Sequence, residues 1–356
     1  MTSRCYRIIL LTDDLPPRRG GVARYHAAVC EALGTTAEVV RPPTGAHWLS
    51  SVFALIHHRV VGMVLVGEVL PYGTAAWIAS FVTRVPYAVI VHGLDLRNAA
   101  RVPRKRWLAR RVLRGAAAII ANSAMTATLA REAGAVPERI TVVHPPVGIV
   151  PALLHDRAVE QLRAEYALDG VRVVLAVGRL VGRKGFDTFI EAMAVVIRSH
   201  PDVIPVIVGD GPERSALAAH AQRLGVPVRW VYDADDVALA AWFAACDVFV
   251  LLPRELPDGD VEGFGIVYLE AGVFGKPVVG TWSGGVPEAV VDGVTGLLVP
   301  PSDVSTAANA MRSILDDDAL AERLGNAGAA RVQAEFDRAH FAERLRGTLT
   351  RVCVSR

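Results

Sequence analysis

The chain has 356 residues, 52% of them hydrophobic, enough apolar material for two cores of ordinary size. Its net charge of +2 hides an asymmetry, because residues 1–150 hold 18 Lys and Arg against 8 Asp and Glu, and the remainder holds 20 against 28. No apolar run is long enough to span a bilayer, and Met1 to Leu11 has too short an apolar core for a signal peptide, so a cytoplasmic protein is expected. Cys5, Cys30, Cys246 and Cys353 stand in apolar or terminal settings without Cys-x-x-Cys spacing and read as reduced thiols. The basic first half suits an anionic partner, membrane lipid before nucleic acid.

Taken in order, Tyr6 to Thr12 is a buried strand ending in Asp13-Asp14-Leu-Pro-Pro, followed by Gly20-Gly21 and a helical pattern from Val22 to Leu33. Two glycines at a helix mouth allow the backbone to approach a phosphate or sugar, or simply make a tight turn. Val61 to Val66, a helix around Thr74 to Val82, and Tyr87 to Val91 running into His92-Gly93-Leu94-Asp95 continue the alternation. Short buried strands alternating with helices predict a parallel sheet with ligands at the C-terminal strand ends, which places His92 at a binding edge.

Arg101 to Arg114 carries seven basic residues interleaved with Trp107, Leu108, Val112 and Leu113. Positions 107, 108 and 112 share a helical face, so a basic amphipathic helix is predicted, with Arg104, Lys105, Arg106, Arg110 and Arg111 beside an interfacial Trp107. It is either a core-packed helix with a solvated cationic back or a surface for anionic lipid or a phosphorylated acceptor. Nucleic acid ranks behind these, since aromatic platforms are absent.

Ala116 to Ala121 is a strand, Asn122-Ser123 caps a helix to Ala133, and Ile140 to Val143 is the last strand of the first half. From His144-Pro145-Pro146-Val147 to about Gly170 the pattern breaks, as at a hinge. The second half restarts with Val171 to Val177 and Gly178-Arg179-Leu-Val-Gly182-Arg183-Lys184-Gly185, where Arg179 and Lys184 on a glycine-bearing loop suit a diphosphate. Gly209-Asp210-Gly211-Pro212 reads as a helix-opening turn with Pro at or near the first helical position. Strands follow at Val228 to Val231, Val248 to Leu252 and Pro277 to Gly280. Helices fill residue 302 to about 352.

The richest stretch is Glu262-Gly-Phe-Gly-Ile-Val-Tyr-Leu-Glu270. A glycine turn that leaves a strand and opens a helix presents N–H groups and the positive end of the helix dipole to an anion. With the helix starting near Gly263, eight residues span about 12 Å, beyond the roughly 5–9.5 Å of paired glycosidase carboxylates. Glu262 and Glu270 are therefore expected to grip different parts of one elongated ligand.

Six motifs now stand in order: Gly178-Arg179, Arg183-Lys184-Gly185, Gly209-Asp210-Gly211-Pro212, Glu262-Gly-Phe-Gly with Glu270, Gly284-Gly285-Val-Pro-Glu288, and Gly296-Leu-Leu-Val-Pro. Together they resemble the family 4 retaining glycosyltransferases of the GT-B fold, most of all the phosphatidylinositol-mannoside mannosyltransferases. The resemblance implies an α/β GT-B architecture of two Rossmann-like parallel-sheet domains facing each other across a cleft. It implies an acceptor domain over 1–150, a nucleotide-sugar donor domain over 151–338, and a helix over 339–356 crossing back to the first domain.

The same resemblance implies roles. Arg179 and Lys184 would neutralise the donor diphosphate; Glu262 would hold a donor-sugar hydroxyl, with the N–H groups of Gly263, Phe264, Gly265, Ile266 and Val267 around sugar and phosphate. Glu270 would accept the ribose hydroxyls, Val231 and Tyr232 would flank the base, and Gly211 would line the donor. Gly20 and Gly21 would let the first loop close over the donor, and His92 would touch the sugar near the reacting carbon. The expected reaction is hexosyl transfer, with GDP-mannose the first choice of donor, to an acceptor hydroxyl such as that of a glycolipid at the inner membrane face. A UDP-glucose or UDP-N-acetylglucosamine transferase acting on a soluble acceptor, and a non-catalytic sugar-nucleotide-binding subunit, are the alternatives. Asp258-Gly-Asp260 imitates a metal-binding Asp-x-Asp, but it precedes the glutamate motif where cations already stand, so neither metal nor cofactor is expected. The sequence departs from the pattern at Pro145-Pro146-Val147-Gly148, where Pro-Asn-Gly-x-Asp is usual, and at Leu94-Asp95, where His-Glu is.

Overall fold

The computed structural model describes residues 7–18, 20–41, 48–57, 62–155 and 157–354. The chain divides into two compact units, one of residues up to Pro146 together with those from Arg338, the other Val147–Asp337. The junction expected at 150/151 falls at 146/147.

The first unit runs β1 (Ile8–Leu11), α1 (Gly21–Leu33), β2 (Ala37–Val40), α2 (Trp48–His57), β3 (Met63–Val66), α3 (Tyr72–Thr83), β4 (Tyr87–Val91), α4 (Leu94–Ala100), α5 (Pro103–Gly115), β5 (Ala118–Ala121), α6 (Ala124–Glu132) and β6 (Ile140–Val142). The strands pair in parallel in the order β2-β1-β3-β4-β5-β6. Successive strand residues point to opposite faces, and both faces are buried. Ile9, Leu11, Val64, Val66, Val89 and Val91 meet Ala76, Ala109, Val112, Leu113 and Ala127. On the other face Leu10, Leu65 and Ile90 meet Tyr25, Val29 and Leu33, and also Phe341, Leu345 and Leu349, which lie beyond the second unit in sequence. That double burial is why these strands read as unbroken apolar runs.

The second unit runs α7 (Ala158–Glu165), β7 (Arg172–Val177), α8 (Phe186–Ser199), β8 (Val203–Val208), α9 (Arg214–Leu224), β9 (Arg229–Val231), α10 (Asp236–Ala245), β10 (Val248–Val250), α11 (Ile266–Val273), β11 (Val278–Thr281), α12 (Val286–Ala289), β12 (Leu297–Val299), α13 (Val304–Asp316) and α14 (Asp318–Glu335). Its parallel sheet has the order β12-β11-β10-β7-β8-β9. The last helix, α15 (Arg338–Val354), returns to the first unit, where Arg346 Nε donates to the carbonyl of Ala32 at 2.7 Å.

Several sequence expectations need correction. The span read as a hinge contains α7, which belongs to the second unit. Pro212 lies in the turn that opens α9, two residues before the helix begins at Arg214, so it stands near the first helical position rather than at it. The helix after Glu262 begins at Ile266, so the 12 Å spacing read along an unbroken helix does not apply. Tyr6 and Val61, the expected starts of two strands, lie outside the described residues, as does Cys5. Cys30 and Cys246 are free thiols.

Candidate active site

In the second unit the sheet order switches direction between β7 and β10, the place where open α/β sheets hold ligands beyond their strand ends. The loops leaving those two strands meet there. Arg254 donates its backbone N–H to the Arg183 carbonyl at 2.8 Å, and its guanidinium makes a two-pronged pair with Asp187 in the first turn of α8, at 2.8 and 2.7 Å. This clamp fixes the short turn Gly182–Lys184, so that Lys184 Nζ, 8% exposed as a residue, lies 2.6 Å from Glu262 Oε2. Arg183 reaches Asp260 Oδ2 at 3.3 Å and lies 3.9 Å from Glu262 Oε2. Burial pushes the Glu262 carboxyl up, but Lys184 and then Arg183 more than offset it and hold it below its ordinary value of 4.5. Glu262 is thus an anion set between two cations.

Arg179 differs from Lys184. It is exposed on the loop after β7 and makes no ion pair among the described residues. Within the Asp-x-Asp segment, Asp258 Oδ1 accepts the Asp260 N–H at 3.0 Å and Asp260 Oδ2 pairs with Arg183.

Close backbone approach explains the glycines here. A Cβ on Gly285 would lie 2.1 Å from the Gly263 carbonyl oxygen, and the Gly285 N–H donates to the Glu262 carbonyl at 2.9 Å. A Cβ on Gly211, after β8, would lie 2.4 Å from the Leu180 carbonyl oxygen. Gly265, with φ of +91°, caps α11, and Ile266 and Val267 supply N–H groups of its first turn, which have no partner within the helix. Phe264 is buried against Phe336, ring centres 5.8 Å apart. Glu270 is 1% exposed on α11. Val231 ends β9, and the Tyr232 ring stands parallel to Trp230 with the Arg214 guanidinium 3.4 Å from its centre, so one face of that ring is already covered.

In the first unit the sheet order switches between β1 and β3. Gly20 caps α1 and Gly21 is its first residue, and a Cβ on either would meet no atom within 4 Å. Unlike Gly211 and Gly285, these two leave open space. His92 follows β4, its backbone N–H donating to Asp95 Oδ1 at 3.1 Å. Its Nε2 lies 3.2 Å from His26 Nε2, and the edge of Tyr25 packs on it with ring centres 5.2 Å apart. Tyr25 is anchored by its hydroxyl, which donates to the Val143 carbonyl at 2.9 Å. Burial, with the facing His26, pushes His92 down to about 3. Burial raises Asp95 against the N–H groups that favour its anion.

The basic segment forms α5, but its buried face runs through Ala109, Val112 and Leu113. Trp107 is 53% exposed, not on that face, and the Arg111 guanidinium lies 5.1 Å from its ring centre. Arg104, Lys105, Arg106 and Arg110 are exposed as well. With Trp77 and Phe81 of α3, residues Trp107, Arg110 and Arg111 line an open groove of ≈ 540 Å³.

Comparison with known proteins agrees with this architecture. Residues 1–146 match a glycosyl transferase 4-like domain, and residues 159–331 match the glycosyl transferases group 1. A GDP-mannose-dependent monoacylated alpha-(1-6)-phosphatidylinositol monomannoside mannosyltransferase of Corynebacterium glutamicum is 30% identical, over 96% of this chain and 97% of its own length. The chain belongs to the family 4 glycosyltransferases of the GT-B fold. A GDP-mannose-dependent alpha-(1-6)-phosphatidylinositol monomannoside mannosyltransferase of Mycolicibacterium smegmatis is 32% identical, over 90% of this chain and 92% of its own. The fold is also that of Anabaena HepE, solved in complex with UDP, with a TM-score of 0.80 at 23% identity over 97% of this chain and 100% of the other.

In this glycosyltransferase the structure brings Lys184, Glu262 and the mouth of α11 together, with Arg179 on the same loop as Lys184. His92, Gly20 and Gly21 lie in the first unit. Sequence reasoning assigned no role to Arg183, Asp260 or the Arg254–Asp187 clamp. Arg183 stood inside the Arg183-Lys184-Gly185 motif and Asp260 inside the Asp258-Gly-Asp260 pattern, but nothing in either showed that the two pair beside Glu262. It also passed over His26, for which the sequence carries no local signal.

Proposed function

We propose that this glycosyltransferase moves mannose from GDP-mannose to a hydroxyl of a phosphatidylinositol-type glycolipid, with retention at the anomeric carbon and without a metal. The observation that carries this reading is the pair of Lys184 and Glu262 at the β7/β10 switch point, flanked by Arg183. Breaking the bond from the anomeric carbon to the diphosphate separates an oxocarbenium-like sugar from an anionic leaving group, so fixed positive charge at the phosphates lowers the barrier. Arg179 and Lys184 supply that charge, with the N–H groups of Ile266 and Val267 at the mouth of α11. Glu262 accepts a hydrogen bond from a sugar hydroxyl while Lys184 keeps it ionised, and Glu270 accepts from the ribose. The acceptor oxygen attacks from the face the diphosphate leaves, and its proton passes to a phosphate oxygen of the leaving group. His92 contacts the donor sugar. The names of the relatives support the choice of donor and acceptor.

Attachment to the membrane belongs to the same proposal. Among the described residues no helix is long and apolar enough to cross a bilayer. Contact with anionic headgroups falls to α5, whose exposed cations surround Trp107, joined by Phe81, 69% exposed on the neighbouring α3.

Thermal-shift titration with GDP, UDP, ADP and their sugar conjugates tests the donor, because a ligand that binds only the folded state raises the midpoint by mass action. A shift selective for GDP and GDP-mannose is expected, followed by an α-linked mannolipid product identified by NMR. A UDP-selective shift would reassign the donor, and no shift with any nucleotide would overturn the donor site.

A further inference from the structure

The hydrogen-bond chain behind His92 carries more than the proposed reaction uses. His26 lies on α1, 1% exposed, and its two ring nitrogens face different partners. Nδ1 is 2.9 Å from the Asp14 carbonyl oxygen and 3.1 Å from Thr12 Oγ1. A carbonyl oxygen only accepts, so Nδ1 must carry the proton; a lone pair there would face a lone pair at 2.9 Å. Thr12 Oγ1 already accepts the Asp14 N–H at 3.2 Å and keeps a second lone pair for the same ring proton. A neutral His26 protonated at Nδ1 has a bare Nε2. The group 3.2 Å away, His92 Nε2, must then be the donor. His92 is left with its Nδ1 unprotonated and without a protein partner among the described residues.

We propose that His26 is a positioning residue, which locks His92 in the Nε2–H tautomer and so presents its Nδ1 as a hydrogen-bond acceptor for a hydroxyl of the donor sugar. The inference rests on the reading of His92 as a donor-sugar contact. It makes the site selective for a hydroxyl-bearing sugar carbon at that point, since a deoxy or O-methyl sugar leaves the acceptor unmatched. A proton added to His26 at Nε2 would set N–H against N–H in the pair, whereas one added to His92 would go to Nδ1, outside the bond between the two rings. Burial lowers both rings; around His26 the backbone of Asp14 and Gly67 and the carboxylates of Asp14 and Asp13 oppose this in part, whereas the facing His26 lowers His92 further. The loop after β1 offers Asp14 and Asp13, the latter paired with Arg18 at 3.2 Å. Glu68 follows β3, pushed up to about 8 by burial and neighbouring carboxylates, Asp95 stands on α4, and α1 adds the neutral phenol of Tyr25.

The test is long-range 1H–15N correlation on the full-length protein labelled at histidine nitrogen, with steady-state kinetics on the same samples. At pH 7 the spectrum is expected to show His26 as the Nδ1–H tautomer, the minor one for a free imidazole, and His92 as Nε2–H. His26→Leu is expected to lower kcat about ten- to hundredfold, with the donor KM within about twofold. His26→Gln, whose amide keeps one donor and one acceptor, should recover much of the rate and guards against a fold defect in the leucine variant. His26 found as Nε2–H or as imidazolium, or His26→Leu with full kcat and an unchanged His92 spectrum, overturns the inference. Full activity in His92→Ala, with the tautomer pair intact in the wild type, instead overturns the donor-contact reading and the catalytic half of this one with it.

Discussion

Arg179 and Lys184, similar in charge, differ in what their loss should cost. Lys184 neutralises a Glu262 whose side chain is 12% exposed, and removing one partner of a buried pair destabilises by up to about 3–5 kcal/mol, an upper bound here because Arg183 stays 3.9 Å from the carboxylate. Lys184→Met is therefore expected to lower the unfolding midpoint and to reduce kcat/KM by about 10²–10³. Arg179→Ala removes an exposed side chain, so its stability should stay within about 0.5 kcal/mol of wild type while transfer falls comparably. Denaturation curves and kcat/KM measured on both variants check the contrast; equal destabilisation would sink it. A pH effect follows from the same pair. Because the folded Glu262 holds its proton less tightly than an ordinary carboxyl near 4.5, its contribution to stability is complete above that value and is lost as pH falls through the lower folded value. Wild type should lose more of its midpoint than Glu262→Gln between neutral and strongly acid pH, which thermal melts across that range would show.

Loops and helices carry the next layer. The 262–265 loop rests directly on the backbone of Gly285, so Gly285→Ala must displace it and with it the carboxylate that faces Lys184. A loss of about 1–3 kcal/mol is expected, as for other overpacked sites, together with weaker donor binding by thermal shift. On α5, Arg110→Glu with Arg111→Glu should abolish co-sedimentation with anionic liposomes at low salt and leave nucleotide binding intact; wild-type protein that binds neutral and anionic vesicles alike would remove the membrane role. Legibility followed the same physics. Strand β4 was readable residue for residue because an apolar run buried on both faces has few other uses, and Ser123 announced α6 through its cap, accepting the Thr126 N–H at 3.0 Å. Strand β2 was not, since four residues at a sheet edge including Glu38 make too short a pattern. Helix α2 lacks the polar stripe that separates helix from strand. In the site, Lys184 and Glu262 stood in recognisable motifs. His26 acquires meaning only because the sheet order sets α1 beside the end of β4, a juxtaposition that no local spacing encodes.

At the scale of the molecule, α15 is structural for the unit that it rejoins. Phe341, Leu345 and Leu349 are at most 4% exposed against the first sheet. At about 1.5–3 kcal/mol each, their burial together is comparable with the roughly 5–15 kcal/mol that holds a whole domain. A chain ending at Asp337 should lose the calorimetric transition of the first unit and keep that of the second; two intact transitions would contradict this. The order of synthesis adds a consequence. Residues 147–337 are a continuous stretch and emerge from the ribosome ahead of Arg338, so the second unit is complete in sequence while the first still waits for α15. Until those last turns emerge, Leu10, Leu65 and Ile90 have an uncovered side. The nascent protein therefore completes its later half first, and its dependence on chaperones should concentrate in the beginning of the chain.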